Sequence, residues 1–109
     1  MAMDLEWVTP CVAEDVDWKA VAVMDDDGGS YDWSEVRFFW SPSARRFFWR
    51  HDSGCSCNYW GYMGNAVSDF EYGDRDAALK AVREFGGFLS SADDAAAAIR
   101  KIARTTKEN

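Results

Sequence analysis

An α+β domain is what this sequence predicts: an antiparallel meander sheet of three to four strands, followed by two C-terminal helices packed on one face. Three observations predict it. Aromatic and β-branched segments bounded by turn residues fill residues 18–72. Two of those segments are joined by a short link containing proline, the mark of a hairpin. Helical spacing of small and apolar residues starts only after Gly73.

Residues 1–17 mix Trp7, Val8, Cys11, Val12 and Val16 with acids, and Pro10 interrupts any regular element, so an irregular arm is expected, with a short strand near residues 6–9. WKAVAVM (18–24) reads as a strand that stops at the acidic turn DDDGGS. WSEVRFFW (33–40) and RRFFWRH (45–51) flank Ser41, Pro42, Ser43 and Ala44, which suit a type I turn. If Trp40 pairs with Arg45, Phe38 faces Phe47 and Val36 faces Trp49 on one apolar side. The other side then sets Glu35 opposite Arg50, Arg37 opposite Phe48 and Phe39 opposite Arg46.

A cysteine loop is expected over 51–61, then a further strand over 66–72. Asp74 is a helix cap, Ala78, Leu79, Ala81, Val82 and Phe85 form an apolar stripe, and Gly86 and Gly87 end the helix. Ser90 or Ser91, three residues ahead of Asp93 or Asp94, opens a second helix striped by Ala95, Ala98, Ile99 and Ile102, with a frayed tail at TTKEN. The whole is read as one domain of 109 residues: arm 1–17, sheet 18–72, helices 74–105.

Six Trp, seven Phe and four Tyr argue for an aromatic core rather than a disordered chain. A net charge of −7 repels a phosphate backbone, so a basic protein is the better partner than nucleic acid. The arginines run against that sign, because Arg37, Arg45, Arg46 and Arg50 fall close together. The start MAMDLEWV lacks the pattern of a secretion signal and the cysteines are odd in number, which leads to an expectation of a cytoplasmic protein with reduced thiols. No apolar run is long enough to cross a bilayer, so no membrane role is expected.

Two constellations bear on function. His51, Cys55 and Cys57 form H-x3-C-x-C, and Cys11 would complete a tetrahedral zinc set if the arm folds back; zinc is the one cofactor the sequence suggests. The same His51 and Cys55 would also serve as an activated thiol; Cys55 and Cys57 are too close in sequence for an ordinary unstrained disulfide, and a redox pair is the alternative. Arg37, Phe39, Arg46, Phe48 and Arg50 interleave on the second face of the hairpin and, with Trp60, make a candidate partner-binding surface. The acids at 25–27 lack the alternate spacing of a calcium loop and read as a solvated turn.

Two aromatic strands running into Asp-Ser-Gly-Cys-Ser-Cys (52–57), with Trp60 following, resemble a group of small proteins of unknown function encoded by phages of actinobacteria. The likeness covers residues 18–72, and the group has no assigned activity. It implies a small phage accessory product in the cytoplasm of a bacterial host. The expectation is therefore a non-enzymatic protein that binds a host or phage protein through the hairpin face and the cysteine loop, with inhibition as one outcome of binding. The alternatives are a zinc-stabilised module on nucleic acid, and a thiol enzyme or redox protein.

Overall fold

In a computed structural model, which describes residues 4–26 and 31–107 (backbone alone beyond Ile102), one antiparallel sheet carries four strands in sequence order. They are β1 (Lys19–Asp25), β2 (Asp32–Ser41), β3 (Arg46–Cys55) and β4 (Glu71–Gly73). Two helices follow, α1 (Arg75–Phe85) and α2 (Ala92–Lys107). The expected meander with C-terminal helices is the observed fold. Residues 27–30 of the acidic turn lie outside the described residues.

The β2–β3 hairpin turns one residue later than its sequence suggests. Ser41 pairs with Arg46, Trp40 with Phe47, Phe38 with Trp49 and Val36 with His51, two positions away from the expected register. The turn is residues 42–45, closed by the Arg45 N–H donating to the Ser41 carbonyl at 2.8 Å, with Arg45 in the left-handed region at φ 55°. A shift of two keeps every side chain on its expected face, because strand side chains alternate with period two. It does change the partners across the ribbon: Arg37 now faces Arg50, and Glu35 faces Asp52.

One face of the sheet is the core expected from the sequence. Val36, Phe38, Trp40, Phe47 and Trp49 are buried against Ala78, Ala81 and Val82 of α1 and Ala95 and Ile99 of α2. The alanines let both helices approach closely, and burying each large aromatic contributes about 2 kcal/mol. A bulge between Ala20 and Ala22 puts Val21 and Ala22 together on this side and turns Val23 to the other. Asp74 caps α1 by accepting the Ala77 N–H at 2.9 Å.

Three expectations change. Residues 66–72 are not one strand but a 3-10 turn (Val67–Asp69) leading into the three residues of β4. β3 runs on through Cys55, so much of the expected cysteine loop is strand. α2 continues into the supposed tail, as far as Lys107.

The hairpin turn is tied down by the arm. Asp17 accepts from the Ser41 hydroxyl and from the Ser43 N–H, both at 2.8 Å. Those bonds, the Ser41 hydroxyl first, hold the Asp17 carboxyl below its ordinary value of 3.8. A carboxyl with a lowered folded-state pKa stabilises the fold above its unfolded value, and that stabilisation fades as pH falls through the folded one. Chemical denaturation should therefore find Asp17→Asn less stable than the parent at pH near 7, with the gap closing by about pH 2.

Candidate functional site: a lid of arm and loop

The second face of the sheet is covered rather than open. The arm (residues 5–12) and the loop after the cysteines (58–66) lie over it and enclose a second core of Val8, Phe39, Trp60 and Phe70, with Leu5, Val12, Trp18, Trp33 and Phe48 packed around it. Trp18 stacks on Phe48 at 4.4 Å and meets Phe70 edge-on at 4.9 Å. This overturns the candidate docking surface. Arg37, Phe39 and Trp60 are buried, Phe48 and Arg50 are half-buried, and of that set Arg46 alone is exposed, its guanidinium over the Tyr72 ring.

Arg37 is the pin that holds the lid. It is 8% exposed, forms an ion pair with Glu35 and donates from Nη1 to the Thr9 carbonyl of the arm at 3.0 Å. Its guanidinium carbon also lies 4.3 Å from the Trp60 ring and 5.1 Å from the Trp7 ring, so one charge contacts strand, arm and loop. Arg50, directly across the ribbon, has its own acid in Asp52 at 3.3 Å. The like-charged cross-strand pairs are thus offset along each strand, two residues away. Both members of the Arg50–Asp52 pair are partly exposed, so that pair is worth at most about 1 kcal/mol.

Arm and loop are also joined through the backbone. Asn65, itself buried, donates from Nδ2 to the Pro10 carbonyl at 2.9 Å and from its N–H to the Cys11 carbonyl at 2.8 Å. Gly61 sits at φ 74°, its N–H donating to Asp52 at 3.0 Å, and a Cβ there would come within 2.8 Å of the Cys11 side chain. Only glycine satisfies both the torsion and that approach. Cys11 takes a left-handed φ of 54° and turns its thiol toward the Trp60 carbonyl at 3.9 Å.

The metal set does not assemble. Because β3 is extended through Cys55, His51 and Cys55 stand four residues apart, roughly 13 Å along the strand. The His51 ring lies on the helix face, stacked on Phe85 at 5.5 Å and sharing a 2.6 Å hydrogen bond with Ser34 Oγ. Cys55 and Cys57 are paired as a disulfide across a turn that brings their Cα atoms to 5.4 Å, and Cys11 is free. That pairing corrects the expectation of reduced thiols throughout. Among the described residues no group of three or more His, Cys, Asp or Glu is placed to hold a metal. His51 is likewise too distant to activate Cys55.

What the loop does present is apolar. Tyr59 is 64% exposed, Tyr62 54% and Met63 89%, and Trp7 of the arm is 55% exposed. Tyr59 and Tyr62 meet edge to face at 5.3 Å. Beside them is a recess of about 140 Å³ whose walls include Arg50, Asn58, Tyr59 and Tyr62. Asn58 Oδ1 and Trp60 Nε1 are buried without a hydrogen-bond partner among the described residues, while Arg50 Nη1, equally buried, has its 3.3 Å ion pair with Asp52. Trp33 closes the cysteine turn by donating from Nε1 to the carbonyls of Cys55 at 2.8 Å and Asn58 at 3.1 Å. The sequence carries one signal for this surface: YWGYM is rich in large side chains but has neither strand nor helix periodicity, so most of them have no core to enter.

The family model of a domain of unknown function, DUF7574, matches residues 13–108. This chain belongs to that family. The DUF7574 match takes in the sheet, the loop half of the lid and both helices, and it starts just after Val12, so Trp7 and Thr9 of the arm precede it. No curated protein and no solved structure matched the chain.

Removing Arg37 leaves the half-buried Glu35 without its partner and takes away one of the arm's attachments. Arg37→Ala should cost about 3 kcal/mol or more in denaturant unfolding, and Lys, which lacks the planar fork, should recover less than half of it.

Proposed function

We propose that this DUF7574 protein is a small phage accessory protein, acting without catalysis in the host cytoplasm, that binds a host or phage protein through the exposed aromatic crest of its lid. One observation carries the reading. Tyr59, Tyr62 and Met63 point outward from a segment fixed by Trp60, Arg37, Gly61 and Asn65, so a rigid scaffold displays large apolar side chains that folding does not use, beside the half-exposed Trp7 of the arm. Tyrosine and tryptophan held in place are the residue types that dominate interface energetics, since little entropy is lost when they are covered.

Two further features support it. Polar groups left unpaired inside the fold are uncommon, and among the described residues one of them, Asn58 Oδ1, belongs to a residue lining the recess beside the crest. A donor group of a partner entering that recess would satisfy it. The net charge of −7 favours a partner with a basic surface, which would approach faster and could place cations on the tyrosine faces. Phage origin and host compartment rest on the resemblance of Asp52 to Cys57 and the strands before it. Among the described residues no helix is long and apolar enough to cross a membrane.

The test is capture of a partner from an actinobacterial lysate, infected and uninfected, followed by calorimetry with that partner purified. Tyr59→Ala with Tyr62→Ala should weaken binding by about 100-fold, at roughly 1.4 kcal/mol per residue, while thermal unfolding stays within a few degrees of the parent. Undiminished affinity in that double variant would refute the assignment.

A further inference from the structure

A second surface lies on the opposite side of β3 from β2, away from the lid. β3 pairs with β2 along its whole length, yet β4 covers only Phe47, Phe48 and Trp49 on its other side. From residue 50 onward no described strand lies against that edge. β4 is short because the chain before it turns away through the 3-10 turn (Val67–Asp69), held by Asp69 accepting the Ala66 N–H at 2.8 Å and by Glu14 accepting the Val67 N–H at 3.1 Å. The place of a longer strand is thereby left open.

A cleft of about 420 Å³ occupies that place, lined by Trp49, Arg50, His51, Asp69, Glu71 and Phe85. Successive side chains of a strand point to opposite faces, so three consecutive residues share one cleft only where it runs along the strand's edge and its backbone. The open stretch is bounded at its far end, where the Ser53 N–H donates to the side chain of Asp52 at 2.9 Å. An edge of this kind is the template for adding a strand.

The walls of the cleft say what such a strand should carry. On one side are the exposed carboxylates of Asp69 and Glu71, the latter fixed by Trp49 Nε1 donating to it at 3.1 Å. On the other is an aromatic shelf, with His51 stacked on Phe85 and Phe88, 60% exposed, edge-on to His51 at 5.8 Å. The Arg50 guanidinium is turned to the opposite face of the sheet, toward Asp52 and the Trp60 ring, and does not neutralise the acids. We infer that the free edge of β3 takes an extended, lysine- or arginine-bearing segment of a partner protein by strand addition, its cation beside Asp69 and Glu71 and an apolar side chain on the shelf. This surface is separate from the crest of the lid, and either can fail without the other.

The experiment is an NMR titration of the full chain with a synthetic peptide of alternating Lys and Val. Saturable shifts should centre on the amides of Arg50, His51 and Asp52 and on the Phe85 ring. The same peptide N-methylated at alternate residues, which cannot form ladder bonds, should bind at least about tenfold more weakly, and an acidic version of alternating Glu and Val should not bind. Glu71→Gln keeps the bond to Trp49 and should weaken binding about threefold, whereas Tyr59→Ala with Tyr62→Ala should leave it unchanged. Equal binding of the N-methylated peptide, shifts confined to residues 59–63, no saturable shift, or shifts at the edge that grow with protein concentration alone, as a second copy would cause, would each overturn the inference.

Discussion

A buried arginine on the second face of the sheet is the constraint on which the rest of this structure depends. Desolvating a guanidinium costs several kcal/mol, recovered only if its donors and its charge are met nearly in full. Arg37 is met by Glu35 on its own strand, by the Thr9 carbonyl and by the faces of Trp7 and Trp60. Those groups come from three separate parts of the chain. The charge therefore selects one arrangement of arm and loop from the many that would merely cover apolar surface, and it makes the molecule three layers deep: helices, sheet and lid.

That layering explains where exposed apolar side chains remain. Both sheet faces are used up, one by α1 and α2 and the other by the lid, so a partner meets the outside of the lid, the outer sides of the helices or an edge of the sheet rather than a sheet face. Trp60 faces inward while its neighbours Tyr59 and Tyr62 face outward, an inside–outside division set by the turn bonds Tyr62 N–H to Tyr59 carbonyl and Gly64 N–H to Gly61 carbonyl. The same segment thus anchors itself and displays a crest.

The fold class was legible because its signals are local. Alternation in 33–40 and 45–51, the Asp74 cap and the alanine stripes of both helices each follow from neighbouring residues alone. Register was legible only modulo two: hydrophobic pattern fixes the face, whereas the turn at 42–45 goes with bonds that the pattern does not show, from the Ser41 hydroxyl and the Ser43 N–H to Asp17 and from the Ala44 N–H to the Ser41 hydroxyl. The cysteine motif misled because H-x3-C converges in a loop or helix and diverges in a strand, and nothing before Gly54 announces that β3 continues. The arm gave no periodic signal, so its closure over the arginine face, and with it the burial of Phe39 and Trp60, was not to be read from spacing.

The three-layered arrangement requires Arg37 to be sequestered beneath the lid. Proton NMR of the arginine side chains measures that directly. The Arg37 Nε–H should exchange with water at least roughly 100-fold more slowly than that of exposed Arg46 at neutral pH, and should show cross-relaxation to the Trp60 ring. An Arg37 Nε–H that exchanges as fast as that of Arg46, with no contact to Trp60, would mean that the arm and loop do not close over the sheet.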